Sequence, residues 1–206
     1  MNELDRFAAG GLGVPPEDPV AANPIPHSLA RAVRLVILDV DGVLTDAGVY
    51  LGETSGGEAI EFKRFDIQDG LGIQLLRESG IEVALISGRV SAATTLRAHE
   101  LGIEECHQDA GARKLPLARD LLRLHEVDWG EVAMLADDLP DLPVFEKVGL
   151  PAAVANAVEE IRERAAWIGR REGGRGAVRE FARALLEARN EWTTAVENYC
   201  VARGNE

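Results

Sequence analysis

Short apolar runs alternate with helical patterns along most of the chain, from about residue 34 onward. Several of these runs are rich in β-branched residues: RLVILDV, IEVALIS, EVAMLA and PAAVA. Such alternation is typical of βαβ units, in which right-handed crossovers build a parallel sheet with helices on both faces. The pattern therefore predicts an α/β fold with a doubly wound, Rossmann-like parallel sheet.

One segment interrupts this alternation directly after the first predicted strand. Residues 48–65, GVYLGETSGGEAIEFKRF, place glycine-rich turn residues between two strand-like arms, which predicts a β-hairpin flap. Only about 25 residues separate Asp41 from the next predicted helix, too few for a cap domain. The crevice beside the first strand is therefore expected to lack an internal lid.

The two ends of the chain are expected to lie outside this domain. Residues 1–30 contain Gly/Pro-rich stretches with weak periodicity, which predict an irregular arm. The α/β domain is expected over residues 31–190, and a helical extension over 191–206. An apolar stripe from about Ala177 predicts one continuous last helix, which can pack on its own domain or on another subunit.

Composition excludes several classes of partner. The formal net charge of -13 at pH 7 disfavours nucleic acid and anionic lipid surfaces. No window approaches the roughly 18 consecutive apolar residues that would span a bilayer, and the first residues lack the apolar core of a signal peptide. Cys106 and Cys200 have neither metal-ligand nor redox spacing. We expect a cytoplasmic protein that binds neither nucleic acid nor membrane.

Acidic residues follow the first predicted strand, at the edge of the sheet where α/β proteins bind ligands. The apolar run that begins at Leu35 ends at Asp39, and Asp41 follows two residues later. Residues two apart in an extended segment point to the same side, so both carboxylates can address one ligand. Because adjacent carboxylates repel each other, the pair favours a bound divalent cation or a proton held by one acid.

Other predicted strand ends supply polar residues to the same edge of the sheet. These residues are Ser87, Arg89, Lys114, Asp137, Asp138 and Asp141. Carboxylate oxygens are ligands that Mg²⁺ prefers, whereas a hydroxyl and an ammonium group bind phosphate oxygens. The set indicates a magnesium-assisted phosphoryl-transfer site. Each residue also has a structural interpretation, as a cap, a solvated lysine or a surface ion pair.

Four motifs occur in the order found in haloacid dehalogenase superfamily phosphatases: LDVDGVLTD, ISGR, Lys114 and ADDLPD. The chain resembles this superfamily from about residue 33 to 188. The blocks FDIQDGLGI, AVANA and GGRGAVRE make it similar to the capless branch typified by 3-deoxy-D-manno-octulosonate 8-phosphate phosphatase. The resemblance implies a Mg²⁺-dependent phosphomonoester hydrolase that acts on a small anionic sugar phosphate in lipopolysaccharide precursor synthesis.

The resemblance also implies the chemistry of the acidic residues. Asp39 would attack phosphorus to form an aspartyl-phosphate, and Asp41 would protonate the leaving alkoxide and then activate water. Magnesium would be held by the Asp39 carboxylate, the Asp41 backbone carbonyl and the Asp137 carboxylate. Asp138 and Asp141 would orient the metal ligands without binding the metal themselves.

The remaining candidate residues would hold the substrate. Ser87 and Lys114 would bind phosphoryl oxygens. The residues expected to contact the rest of the substrate are Lys63, Arg89 and Arg175. Arg175 lies between glycines, and an arginine there could bind a sugar carboxylate through two hydrogen bonds.

Apolar residues on the predicted flap indicate self-association: Val49, Leu51, Ile60, Phe62 and Phe65. An isolated hairpin is marginally stable in water, and exposed apolar side chains are costly. Hairpins from several subunits are expected to bury one another. We expect a homo-oligomer, and the resemblance implies a homotetramer.

Other functions stay open at this point. A phosphatase of a nonulosonate 9-phosphate would meet the same primary phosphate and distant carboxylate. A phospho-accepting signalling module also uses acids, a hydroxyl, a lysine and magnesium, but its acid pair and its phosphorylated aspartate lie on different strands. A phosphomutase usually needs a cap, and an inactive scaffold would not need reactive side chains in all four motifs.

Overall fold

A six-stranded parallel sheet and a separate two-stranded hairpin form the β-structure of the described part of the chain. The computed structural model describes residues 24–204. The strands are β1 (Leu35–Leu38), β2 (Tyr50–Glu53), β3 (Ala59–Phe62), β4 (Glu82–Ser87), β5 (Cys106–Gln108), β6 (Val132–Ala136), β7 (Leu150–Ala153) and β8 (Trp167–Ile168). The helices are α1 (His27–Ala32), α2 (Ile67–Glu78), α3 (Ala92–Glu100), α4 (Lys114–Leu124), α5 (Leu142–Phe145), α6 (Glu159–Arg162), α7 (Ala177–Arg189) and α8 (Trp192–Val201).

The strand order confirms the predicted doubly wound sheet. The large sheet runs β5-β4-β1-β6-β7-β8, so the chain adds strands on one side of β1 and then on the other. Every residue of β1 and β6 is buried, as expected for central strands covered on both faces. The order reverses at β1, and ligands bind beyond the carboxyl ends of strands at such a point.

The predicted flap is also present. Strands β2 and β3 pair antiparallel, with Tyr50 opposite Phe62, and a further bridge joins Thr45 to Phe65 at the base. Phe65 is half-buried against the core, but most apolar side chains of the hairpin are exposed. The flap therefore contacts the domain at its base and through β3, while most of its apolar side chains face solvent.

The structure corrects the expected boundary of the N-terminal arm. Ile25 is buried, and α1 packs Ala30 into the core and contacts α7. The packed fold thus begins near residue 25 rather than at residue 31, because Ile25 and Ala30 each bury an apolar side chain. The rest of the predicted arm, residues 1–23, lies outside the described residues.

The prediction of one continuous last helix is wrong. Asn190 adopts a left-handed conformation with φ 63, and it separates α7 from α8. Asparagine tolerates this conformation, and the N–H groups of Asn190 and Glu191 satisfy carbonyls of the last turn of α7. Phe181 and Leu185 are fully buried, so the apolar stripe packs on its own domain. Within the extension, α8 is helical and Ala195 is buried.

The helices of the described residues are shorter than the thickness of a bilayer requires. The longest, α7, has 13 residues, whereas spanning a bilayer takes about 20 apolar residues. Across residues 24–204, no helix combines the length and apolar character that a membrane span requires.

Candidate active site

A tight turn after β1 carries the two acids of the first motif. Asp39 is extended, and residues Val40–Leu44 then form a turn that kinks at Asp41 and at Gly42, where Gly42 has φ 102. A Cβ on Gly42 would lie 1.9 Å from Oδ2 of Asp137. Glycine is required here because the conformation is left-handed and because the turn packs directly against Asp137. The turn therefore brings the end of β1 against the end of β6.

Three buried acids meet at this edge of the sheet. Carboxylate oxygens of Asp39, Asp137 and Asp141 lie within 4.8 Å of one another. Burial, followed by the charges of Asp39 and Asp141, raises the pKa of Asp137. Burial and the charge of Asp39 likewise raise the pKa of Asp141. Such a cluster is unfavourable when every member is ionised, unless positive charge is added.

Lys114 supplies part of that charge. It is the first residue of α4 and is buried, and its Nζ lies 2.5 Å from Oδ1 of Asp39 and 2.6 Å from Oδ1 of Asp141. Burial disfavours its charged form, but the charges of Asp39 and Asp141 outweigh burial and raise the pKa of Lys114. The structure thus brings this sequence-predicted residue into contact with the acids.

The donor set fits a magnesium ion. The three acids offer hard carboxylate oxygens, and Oδ1 of Asp137 is buried without a hydrogen-bond partner among the described residues. A divalent cation would occupy that unpaired acceptor and offset the repulsion among the carboxylates. Asp141, predicted as a support residue, belongs to the cluster itself.

Asp41 lies beside two cations. Its Oδ1 is 2.6 Å from Nζ of Lys63, at the base of the flap, and 3.9 Å from Nη1 of Arg89. Lys63 has only 1% of its side chain exposed, and Arg89 also pairs with Glu61 of β3 at 2.6 Å. Both residues are therefore placed to meet an anion that approaches Asp41. No local pattern marks Glu61 in the sequence, because its contact with Arg89 depends on how the flap packs against the domain.

Ser87 ends β4, the strand next to β1. Its hydroxyl accepts from the Arg89 N–H at 3.1 Å and donates to the Arg89 carbonyl at 3.0 Å. The side chain is buried, and it shapes the turn that carries Arg89. Ser87 thus lies at the predicted edge, in a turn-forming contact.

Two candidates lie apart from the acid cluster. Asp138 is exposed, and its carboxylate accepts from the Leu139 N–H at 2.7 Å. This capping contact explains why an aspartate stands here, with no contact to the metal ligands needed. Arg175 is also exposed and lies 3.5 Å from Glu172. Its positive charge acts on Asp46 and on Tyr50, the first residue of β2 in the flap.

Comparisons with known proteins point to one group of enzymes. No family model matches the sequence. The chain is 44% identical over 173 residues to the 3-deoxy-D-manno-octulosonate 8-phosphate phosphatase KdsC of Escherichia coli K12, which covers 84% of this chain and 88% of that protein. A structure described as a HAD superfamily hydrolase from Legionella pneumophila is 38% identical, with a TM-score of 0.76 and coverage of 84% and 92%.

A third relative was solved with ligands. It is the 3-deoxy-D-manno-octulosonate 8-phosphate phosphatase of Moraxella catarrhalis, in complex with magnesium, phosphate and KDO. This chain is 36% identical to it, with a TM-score of 0.77 and coverage of 84% of this chain and 97% of that one. Both the fold and the sequence therefore match over most of each protein.

Proposed function

The chain belongs to the KdsC family of 3-deoxy-D-manno-octulosonate 8-phosphate phosphatases within the haloacid dehalogenase superfamily, and we propose that it hydrolyses this sugar phosphate to the free sugar acid and phosphate. The observation that carries the proposal is the buried cluster of Asp39, Asp137 and Asp141 with Lys114 at the sheet edge. The product would feed lipopolysaccharide precursor synthesis. A nonulosonate 9-phosphate, which the sequence left open, is the competing substrate.

Asp39 and Asp41 are proposed to carry the two steps of the reaction. An Asp39 carboxylate oxygen attacks phosphorus while the bond from phosphorus to the sugar oxygen breaks. Asp41 gives its proton to that leaving oxygen, which completes the sugar acid. Asp41 then takes a proton from a water molecule whose oxygen attacks phosphorus, so that inorganic phosphate leaves and Asp39 is regenerated.

Magnesium is proposed to bind Asp39, Asp137 and the backbone carbonyl of Asp41. Bound there, it would offset the negative charge that a carboxylate and a phosphate bring together. Asp141 and Lys114 hold each other at 2.6 Å, and Lys114 also contacts Asp39. Lys114 is thereby held beside the nucleophile, where its ammonium group can bind a phosphoryl oxygen.

The rest of the substrate is proposed to meet positive side chains. Lys63 and Arg89 adjoin Asp41, and Ser87 ends the neighbouring strand. Arg175 is proposed to bind the sugar carboxylate, in its own site or in a neighbour's. These local cations oppose the overall charge of -13, which would otherwise repel an anionic substrate.

The proposal is tested by phosphate release from a panel of substrates. The panel contains 3-deoxy-D-manno-octulosonate 8-phosphate, a nonulosonate 9-phosphate and glucose 6-phosphate, each with Mg²⁺ or with a chelator. We expect the highest kcat/KM for the octulosonate, sustained over many turnovers and lost on chelation. Preference for the nonulosonate, or a single turnover typical of a signalling module, would contradict the proposal.

The enzyme is further proposed to be a cytoplasmic homotetramer. Leu51 and Phe62 of the flap are 75% and 58% exposed, and flaps of neighbouring subunits would bury them. The free thiols of Cys106 and Cys200 fit a reducing compartment. Light scattering that gives the mass of one chain at assay concentration would contradict the assembly.

A further inference from the structure

An asparagine outside the predicted site connects two segments that border it. One is the active-site turn, Val40–Leu44, and the other is residues 173–176, called the glycine loop below. The Asn156 side chain donates from Nδ2 to the Gly42 carbonyl at 3.3 Å, and its Oδ1 accepts from the Gly173 N–H at 2.7 Å. One amide group therefore links the turn to the glycine loop.

The turn and the glycine loop lie in direct backbone contact. A Cβ on Gly173 would lie 1.8 Å from the Gly42 carbonyl oxygen, so only glycine fits at that position. The Gly174 N–H donates to the Val43 carbonyl at 3.0 Å, and Arg64 donates to the Gly174 carbonyl. A shift of the glycine loop would thus displace the turn that carries the acids.

The segment of Asn156 is itself fixed to the acid cluster. The Val158 N–H donates to the Asp137 carbonyl at 2.9 Å. On its other side, Gly42 lies so close to Asp137 that a Cβ would be 1.9 Å from the carboxylate. Asn156 therefore hydrogen-bonds Gly42, and the segment that carries Asn156 is itself positioned by its hydrogen bond to Asp137.

We propose that Asn156 is a positioning residue for phosphoryl transfer. It acts through Gly42, which follows Asp41, and through Gly173, which lies two residues before Arg175. An amide side chain offers a donor and an acceptor together, which a carboxylate does not. The inference rests on the proposed function, because it assigns Asn156 a part in that reaction.

Two variants of Asn156 separate its two hydrogen bonds. Asn156→Asp keeps the shape and the acceptor for Gly173 but loses the donor to Gly42, and Asn156→Ala loses both. Since small misplacements of reacting groups are costly, we expect kcat to fall about 10²-fold in each variant, with KM changed less than about threefold. Asn198→Asp, on the exposed face of α8, is the matched control and is expected to keep kcat.

The assays use p-nitrophenyl phosphate and 3-deoxy-D-manno-octulosonate 8-phosphate. Amide hydrogen exchange adds a readout that does not depend on activity. In Asn156→Ala the Gly173 N–H loses its acceptor, so peptides covering residues 171–176 are expected to exchange faster than in the wild type. In Asn156→Asp these peptides are expected to stay protected, while kcat still falls.

The outcomes distinguish the two proposals. A wild-type protein that releases phosphate from no phosphomonoester contradicts the proposed function. An active wild type with unchanged kcat in both folded variants overturns only the positioning role. That role is also wrong if KM rises while kcat is kept, which indicates substrate binding, or if neither variant folds, which indicates stability alone.

Discussion

The carboxyl edge of the sheet and the flap beside it differ in what they bury. At the edge, Asp39, Asp141 and Lys114 are charged groups with less than a tenth of each side chain exposed, and they contact one another. On the flap, Leu51 and Phe62 are apolar and largely exposed. The charged groups of the edge have partners within one chain, whereas these two apolar side chains of the flap would be buried only in the proposed oligomer. The proposed catalytic groups and the proposed assembly surface therefore depend on different interactions.

The largest expected effect is at the edge. Asp39→Asn removes the proposed nucleophile and one ligand of the proposed cation, so we expect kcat to fall by about 10⁴-fold or more. Asp138→Asn is the control, because Asp138 is exposed and caps Leu139. It is expected to stay within about threefold of wild type. Both are measured as steady-state phosphate release with saturating Mg²⁺; comparable losses in the two variants would contradict the account.

A second substitution tests whether the edge is held by charge. Lys114→Met leaves Asp39 and Asp141 without their shared cation, and breaking a buried pair in this way costs about 3–5 kcal/mol of unfolding free energy. Lys147→Met, at an exposed lysine, is expected to cost little. Urea unfolding at pH 8, with a chelator present, measures both. Equal unfolding free energies for the two variants would show that the Lys114 contacts do not stabilise the edge.

The role of the flap is tested by the oligomeric state of variants with changed flap residues. Leu51→Glu combined with Phe62→Glu places charge on both faces of the hairpin, because Phe62 lies opposite Tyr50 whereas Leu51 lies opposite Glu61. We expect the proposed oligomer to dissociate at concentrations at least about 10-fold higher than for wild type. Leu124→Glu is the control, since Leu124 is an exposed leucine on α4. Sedimentation of all three proteins over a dilution series measures the effect. An unchanged mass for the double variant would exclude the flap as the interface.

The smallest expected effect is at Asp69, a buried acid away from the edge that has no lysine partner among the described residues. Asp69 accepts from the Arg179 backbone N–H at 2.8 Å, and burial raises its pKa to about 6. Because the folded pKa lies above the unfolded value of 3.8, its stabilising contribution is present at low pH and is lost as pH rises through about 6.

Asp69→Asn should remove that dependence. Between pH 4 and pH 7.5, wild type is expected to lose about 2 kcal/mol of unfolding free energy relative to the variant. Asp120→Asn, at an exposed aspartate of α4, is expected to follow wild type across this range. A difference that does not change with pH would contradict the assignment of this titration to Asp69.

Local patterns were enough to predict the sheet and the position of the acids. The run Leu35–Leu38 is apolar because β1 is buried on both faces, and its end fixes where Asp39 lies. In the same way, Asp137 directly follows the buried apolar run of β6. The strand ends placed Lys114 at the same edge, but its contact with Asp39 could not be predicted from a local pattern because the two residues are 75 positions apart.

The features that the sequence did not reveal depend on single residues or on distant contacts. The break between α7 and α8 comes from one left-handed asparagine, Asn190, inside an otherwise continuous apolar stripe. Asn156 and Gly42 are 114 positions apart, and no local pattern predicts that they meet. Glu61 pairs with Arg89 only because the flap folds back toward β4.

Magnesium binding to the purified protein tests the central claim most directly. Isothermal titration should give one Mg²⁺ site per wild-type chain, and the same site in Asp138→Asn. Asp137→Asn should lose it, because Asp137 contributes a buried carboxylate oxygen that has no hydrogen-bond partner within residues 24–204. If Asp137→Asn binds Mg²⁺ as tightly as wild type, or if wild type binds none, the acid cluster is not the metal site.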